Sequence, residues 1–149
     1  MLDIGKILGF KVYTADSSKV CSGVVLGDLA DMNRGMLGKY VGPGLLEFLS
    51  KIDVVWHRQG VGFYAFEVVI GGSMHDALLR FLNIKELNAR LFIVADEGRK
   101  REFERSITSS AFNAIKNRCK FLTLAELYRQ YVLTKLWRQF IEPLQLPYP

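Results

Sequence analysis

The chain has two cysteines in 149 residues. Cys21 and Cys119 stand far apart and lack metal-ligand spacing, which removes a cysteine-built metal site and fits a reduced, cytoplasmic protein. Long apolar runs are missing too. Every one is cut by a charge or a glycine well short of a bilayer span, and no signal peptide opens the sequence, so no membrane role is expected. There is no P-loop, no dinucleotide-binding glycine fingerprint, no Gly-x-Ser-x-Gly elbow, no zinc-ligand cluster, no internal repeat and no helix-turn-helix. Nucleotide-cradle, serine-hydrolase and zinc chemistry are thereby set aside. What remains is half hydrophobic and 23% charged, enough to bury a core, and its length suits a single domain over residues 1–149.

The net charge is +5, and the basic residues come late: Arg99, Lys100, Arg101 and Arg105, then Lys116, Arg118 and Lys120, then Arg129, Lys135 and Arg138. Two readings stand side by side. Glu97, Glu102, Glu104 and Glu126 are interleaved as intrahelical partners, which describes solvated helix faces. The same distribution suits a polyanion, with Arg99, Lys100, Arg101, Lys116 and Arg118 as nucleic-acid contacts.

The pattern along the chain predicts a helix over 2–10, a strand over 11–15, and an irregular Gly-, Ser- and Asp-rich stretch over 16–44 with one further short strand. Pro43-Gly44 turns the chain into a short helix over 45–51. Two apolar strands, 52–56 and 63–69, follow, joined by a polar, Gly-containing turn that should hold His57. Ser73 is placed to cap a helix over 73–82, with Asp76 in its first turn. Residues 90–95 read as a buried central strand, 96–107 as a charged amphipathic helix, 109–117 as a further short helix and 119–122 as a strand. Thr123 and Glu126 form a capping box for a last helix that carries Leu127, Tyr131, Leu136 and Phe140 inward and is closed by Pro143 and Pro147. The class is α/β, a central mixed sheet flanked by helices.

Within that pattern two acids stand out. Asp53 lies in Ile52-Asp53-Val54-Val55-Trp56, and Glu67 in Phe63-Tyr64-Ala65-Phe66-Glu67-Val68-Val69. A carboxylate in such a run is costly to bury unless it is paired or holds a cation. Two of them on neighbouring strands, on the same side of the sheet, can share one divalent ion, as a metal-dependent phosphodiesterase requires. The blander reading pairs Asp53 with Lys51, His57 or Arg58, and treats Glu67 as half of a buried ion pair.

The order of helix, Asp-bearing strand, Glu-bearing strand, helix and strand resembles the core of the PD-(D/E)XK nuclease superfamily, the restriction-endonuclease-like fold. The resemblance covers about residues 44–125 and rests on Ile52-Asp53 and Glu67-Val68-Val69. It implies a hydrolase: an endonuclease acting on nucleic acid, DNA first, with Asp53 and Glu67 holding Mg²⁺ or Mn²⁺. It also implies that Glu47, on the preceding helix, can add a further acid. The third motif position, usually Lys, is here Val69, which can neither orient nor deprotonate a water. Arg80 and His75, on the next helix, are the substitutes the resemblance suggests; Arg stays protonated and suits phosphate better than base chemistry.

Two functions from different classes follow. One is a Mg²⁺-dependent endonuclease with an incomplete motif and weakened catalysis. The other is a non-catalytic nucleic-acid-binding or assembly domain on the same fold. A third reading makes the chain a domain excised from a longer polypeptide, working with a partner subunit or as a homodimer.

Overall fold

The computed structural model describes residues 1–144, so Pro147, expected to help close the last helix, lies outside the described residues. Helix α1 (Leu2–Ile7) leads into strand β1 (Lys11–Thr14). The stretch expected to be irregular contains a small hairpin, β2 (Val20–Cys21) with β3 (Val24–Val25), turned at Ser22 and Gly23. Both turn residues have positive φ (51° and 79°), the backbone a tight two-residue hairpin needs. Two single-turn helices, α2 (Leu26–Leu29) and α3 (Arg34–Leu37), complete that stretch, and α4 (Pro43–Leu49) follows with Pro43 in its first turn.

Strands β4 (Val54–Arg58) and β5 (Gly62–Val68) form the expected hairpin, with Val54 opposite Phe66 and Trp56 opposite Tyr64. Helix α5 (Met74–Asn83) then crosses over to β6 (Ala89–Ala95), which runs parallel to β5. A short 3-10 turn and α6 (Lys100–Ile107) precede β7 (Cys119–Thr123), again parallel, and α7 (Leu124–Ile141). The sheet order is β1-β4-β5-β6-β7, antiparallel on one side of β5 and parallel on the other. The mixed α/β core expected from the sequence is present.

Alternation along the strands divides the core in two. Tyr13, Val55, Phe63, Ala65, Leu91 and Ile93 face α4, α5 and α6 and pack with Leu49, Leu78, Phe81 and Phe103. Val12, Val54, Trp56, Phe66 and Val94 face the other way, toward α1 and α7. Gly5 permits that second contact: a β-carbon there would lie 2.6 Å from Val12 and 2.8 Å from the Trp56 ring. Both predicted caps form. The Ser73 hydroxyl accepts from Asp76 N–H, and Thr123 and Glu126 make a reciprocal capping box.

Three expectations are corrected. His57 is not in the turn but within β4, with its ring 4.1 Å from that of Tyr40 and 4.5 Å from that of Phe63. Residues 109–117 form two 3-10 turns (Ser110–Phe112 and Lys116–Arg118) instead of a helix, anchored by fully buried Phe112 and Ile115. In α7, Leu127 and Tyr131 do pack inward, but Leu136 and Phe140 point out, at 56% and 61% exposure. Among the described residues no helix is long and apolar enough to cross a membrane.

Candidate functional site

Asp53 sits one residue before β4, where the chain enters the sheet, and not inside the strand as expected. It joins three segments at that point. Its carbonyl accepts from Ala15 N–H just past β1 (3.2 Å), and its carboxylate Oδ2 accepts from Val68 N–H at the end of β5 (2.7 Å). A side chain thus continues the ladder where the β4 backbone leaves it. Asp53 lies one step beyond the Val54–Phe66 pair, while Glu67 shares the strand face of Ala65, on the side covered by α5. The two carboxylates are close enough for the Asp53 charge to act on Glu67.

Glu67 has no exposed surface. Arg80, one face of α5, reaches down to it: Nε donates to Oε2 at 2.8 Å, and a terminal nitrogen bonds the same oxygen. The other oxygen, Oε1, is buried with no hydrogen-bond partner; the Asp53 backbone N–H is the smallest of the influences on the carboxyl and favours its charged form. Burial dominates and pushes the carboxyl up to about 7; the Arg80 hydrogen bond opposes this, and the Asp53 charge adds to it. An orphaned carboxylate oxygen in such a place is expensive, and a cation is one of the few partners that would satisfy it.

The remaining predicted residues are placed as follows. Val69 continues past β5 with its N–H on Val94 O (2.8 Å) and its side chain 3% exposed in the α5-side core, among residues including Met74 and Ala77. Glu47 is exposed on α4 and pairs with Lys51 four residues on. His75 is exposed at the start of α5, edge-on to Phe112 at 5.3 Å. Arg99 is drawn inward: it pairs with Glu102 and donates to Val69 O at 3.0 Å. Arg118 donates to Leu87 O and Lys85 O, closing the turn that leads into β6. Lys100, Arg101 and Lys116 are exposed.

A cleft of 490 Å³ opens at the same end of the sheet, lined by Thr14, Asp16, Lys19, Asp53, Val68 and Gly71 among others. Lys19, ion-paired with Asp16 at 3.7 Å, comes from the turn leading into the β2–β3 hairpin and is the basic side chain in its wall. No sequence signal marked it, because the contact is made only when that segment folds back over the strand ends.

Asp53, with one oxygen engaged by Val68 N–H, and Glu67, with one buried oxygen unpartnered, are the type of oxygen donors a hard divalent ion takes. Among the described residues no group of three or more His, Cys, Asp or Glu side chains is placed to hold a metal. A comparison with known protein families matches residues 1–142 to the family described as the type II restriction enzyme NmeDI C-terminal domain. No curated protein and no solved structure matches the chain significantly.

Proposed function

The chain belongs to the NmeDI C-terminal domain family of type II restriction enzymes, and from that membership and the acid pair we propose that it is a nuclease-related domain that binds DNA and hydrolyses phosphodiesters slowly. The observation that carries this is Glu67 Oε1, buried and unpartnered within reach of the Asp53 charge. Asp53 and Glu67 would hold Mg²⁺ or Mn²⁺, which when bound lowers the pKa of a water and offsets charge on the scissile phosphate. Arg80 fixes the Glu67 carboxylate through Oε2 and leaves Oε1 for the ion. The β5 end, through Val68 N–H, fixes Asp53. Val69 is committed to the core, so the basic function falls to Lys19, which shares the cleft with Asp53 and can meet a phosphate oxygen there. A basic group carried by a surface turn is less fixed than one on a strand, hence the slow rate.

Lys100, Arg101 and Lys116 supply nonspecific phosphate contacts. As one domain of a larger enzyme, the chain would take its sequence specificity from a partner or from other segments. A second reading, a DNA-binding or assembly domain without hydrolysis, is favoured by one observation: Arg80 already neutralises Glu67.

The test is calorimetry with Mn²⁺ at pH 8, together with nicking of supercoiled plasmid, on the wild type, Asp53→Asn and Glu67→Gln. Asn keeps an acceptor for Val68 N–H, so folding is preserved while the charge is lost. Expected are one Mn²⁺ site in the wild type, weakened at least tenfold in each variant, and slow nicking that both substitutions abolish. A folded wild type that takes up no Mn²⁺ would sink the metal reading; Mn²⁺ binding without nicking would leave the second reading standing.

A further inference from the structure

The sheet face turned away from α5 is only partly covered by α1 and α7. Val54, Trp56, Phe66 and Val94 are buried on it, but Tyr64 and Phe92 are half-buried, and Arg90 and Lys120 are exposed. β6 is flanked by β5 and β7, and every one of its residues from Leu91 to Ala95 is buried except Phe92. Register sets a cation beside each half-open ring: Tyr64 stands opposite Arg90, and Phe92 opposite Lys120. The same two-part unit, ring then cation, therefore occurs twice, once across β5–β6 and once across β6–β7. The two rings are parallel to within 2°, with centroids 6.2 Å apart. Both are braced from behind, Tyr64 by the edge-on ring of Phe10 at 5.1 Å and Phe92 by the stacked ring of buried Phe66 at 5.1 Å.

We propose that this face binds an unpaired stretch of DNA, with bases against Tyr64 and Phe92 and phosphates on Arg90 and Lys120. The repeated unit decides the occupant. A nucleotide chain alternates a flat π-face with an anion, and its successive bases lie parallel, so a single orientation of the chain meets both units. An acidic peptide would satisfy the cations but brings no flat group to match each ring. The charge is complementary as well. β4 to β7 place no Asp or Glu on this face, and among the described residues no acid pairs with Arg90 or Lys120. Arg90 lies 5.1 Å from the Tyr64 ring centroid and spends one donor on the Tyr64 hydroxyl, which leaves its other donors for phosphate. With that hydroxyl engaged, no hydroxyl or amide side chain of β4 to β7 remains on this face to meet a ribose 2′-OH, which favours DNA over RNA. Duplex bases hide their faces in the stack, so the DNA must be single-stranded here. Glu67 and Arg80 lie on the α5 side, and the inference stands without the metal reading.

Fluorescence anisotropy with a labelled oligo-dT of about 12 nucleotides tests it, beside an abasic oligonucleotide of the same length and charge. The wild type is expected to bind oligo-dT at least tenfold more tightly than the abasic chain, because only the former has bases to stack. Phe92→Leu keeps an apolar side chain against Phe66 but removes the π-face. It should weaken oligo-dT binding about tenfold and leave the abasic chain unaffected. Arg90→Gln and Lys120→Gln should weaken both ligands alike, each lowering the salt exponent by about 0.7. Lys39→Gln, which removes an exposed cation beyond α3, should change neither. Should Phe92→Leu fail to fold by circular dichroism, the wild type still decides the matter: irradiated with an iodouracil-substituted oligonucleotide, it should cross-link chiefly through the peptides that hold Tyr64 and Phe92, as read by mass spectrometry. Equal affinity of the wild type for oligo-dT and the abasic chain would overturn the proposal. So would a folded Phe92→Leu that binds oligo-dT like the wild type, cross-links confined to other peptides, or oligo-U bound tenfold more tightly than oligo-dT.

Discussion

Replacing Glu67 with Gln separates a structural ion pair from an acid retained at a cost. In the folded protein its carboxyl is pushed from an ordinary 4.5 up to about 7, chiefly by burial. Between those values the folded chain keeps a proton that the unfolded chain releases, so stability contributed by the neutral form is fully present below pH 4.5 and is lost as pH rises through about 7. With one pK unit worth about 1.4 kcal/mol, the wild type should lose about 2.5 kcal/mol from this group between pH 5 and pH 8. The side chain has no exposed surface, so solvent screening does not reduce that figure. Gln has no charge to desolvate and can still accept from Arg80, whose side chain is 41% exposed and can hydrate its remaining donors. Its amide N–H₂ is left buried, at about 1–2 kcal/mol, and this offsets part of the gain. Urea unfolding of both proteins at pH 5, 6, 7 and 8 reads the difference. The stability of Glu67→Gln relative to wild type should rise by about 2.5 kcal/mol across that range and turn in its favour by pH 8. Parallel pH profiles, or a variant that is less stable at pH 8 by several kcal/mol, would show that Glu67 is ionised and well paired throughout, and would refute the reasoning.

Val69→Lys would place a charge among the α5-side core residues; we expect destabilisation by about 3 kcal/mol or more and no gain in nicking, measured on the fraction that is folded by circular dichroism. Lys100→Ala and Arg101→Ala should each lower the salt-dependence exponent of DNA binding by about one and weaken every sequence alike, because both are exposed. Arg118→Ala, which leaves two turn carbonyls without their donor, should instead cost about 1–2 kcal/mol in unfolding and leave that exponent unchanged. Thr123→Ala removes one half of the capping box and should cost about 1 kcal/mol, read as a Tm drop of about 2–4 °C.

What was legible in the sequence was set locally. The capping signals at Ser73 and Thr123, the apolar run that became β6 and the alternation through β4 and β5 needed no knowledge of distant residues, and all formed. The pairing of the two strands beside Asp53 and Glu67 was readable because a short hairpin fixes register. The partners of those acids were not, because they come from elsewhere in space, Arg80 from the crossover helix and Val68 N–H from a strand end; nor was Lys19, which reaches the Asp53 cleft from a segment that looked irregular. The basic residues show the same limit. Arg99 and Lys100 are neighbours in a charged helix start, yet one is drawn to Val69 O and the other is left in water, a choice made by the end of β5 and not by composition. Leu136 and Phe140 were misassigned for a complementary reason. Helical periodicity finds an apolar stripe but cannot tell which of two stripes faces the core when both sides of a helix are apolar. That ambiguity is informative. On α5 and α6 one face is polar and the inward side is fixed by the chain's own sequence. On α7 both sides are apolar, so only the contacts of Leu127 and Tyr131 with the sheet side, and not the periodicity, fix which side is inward.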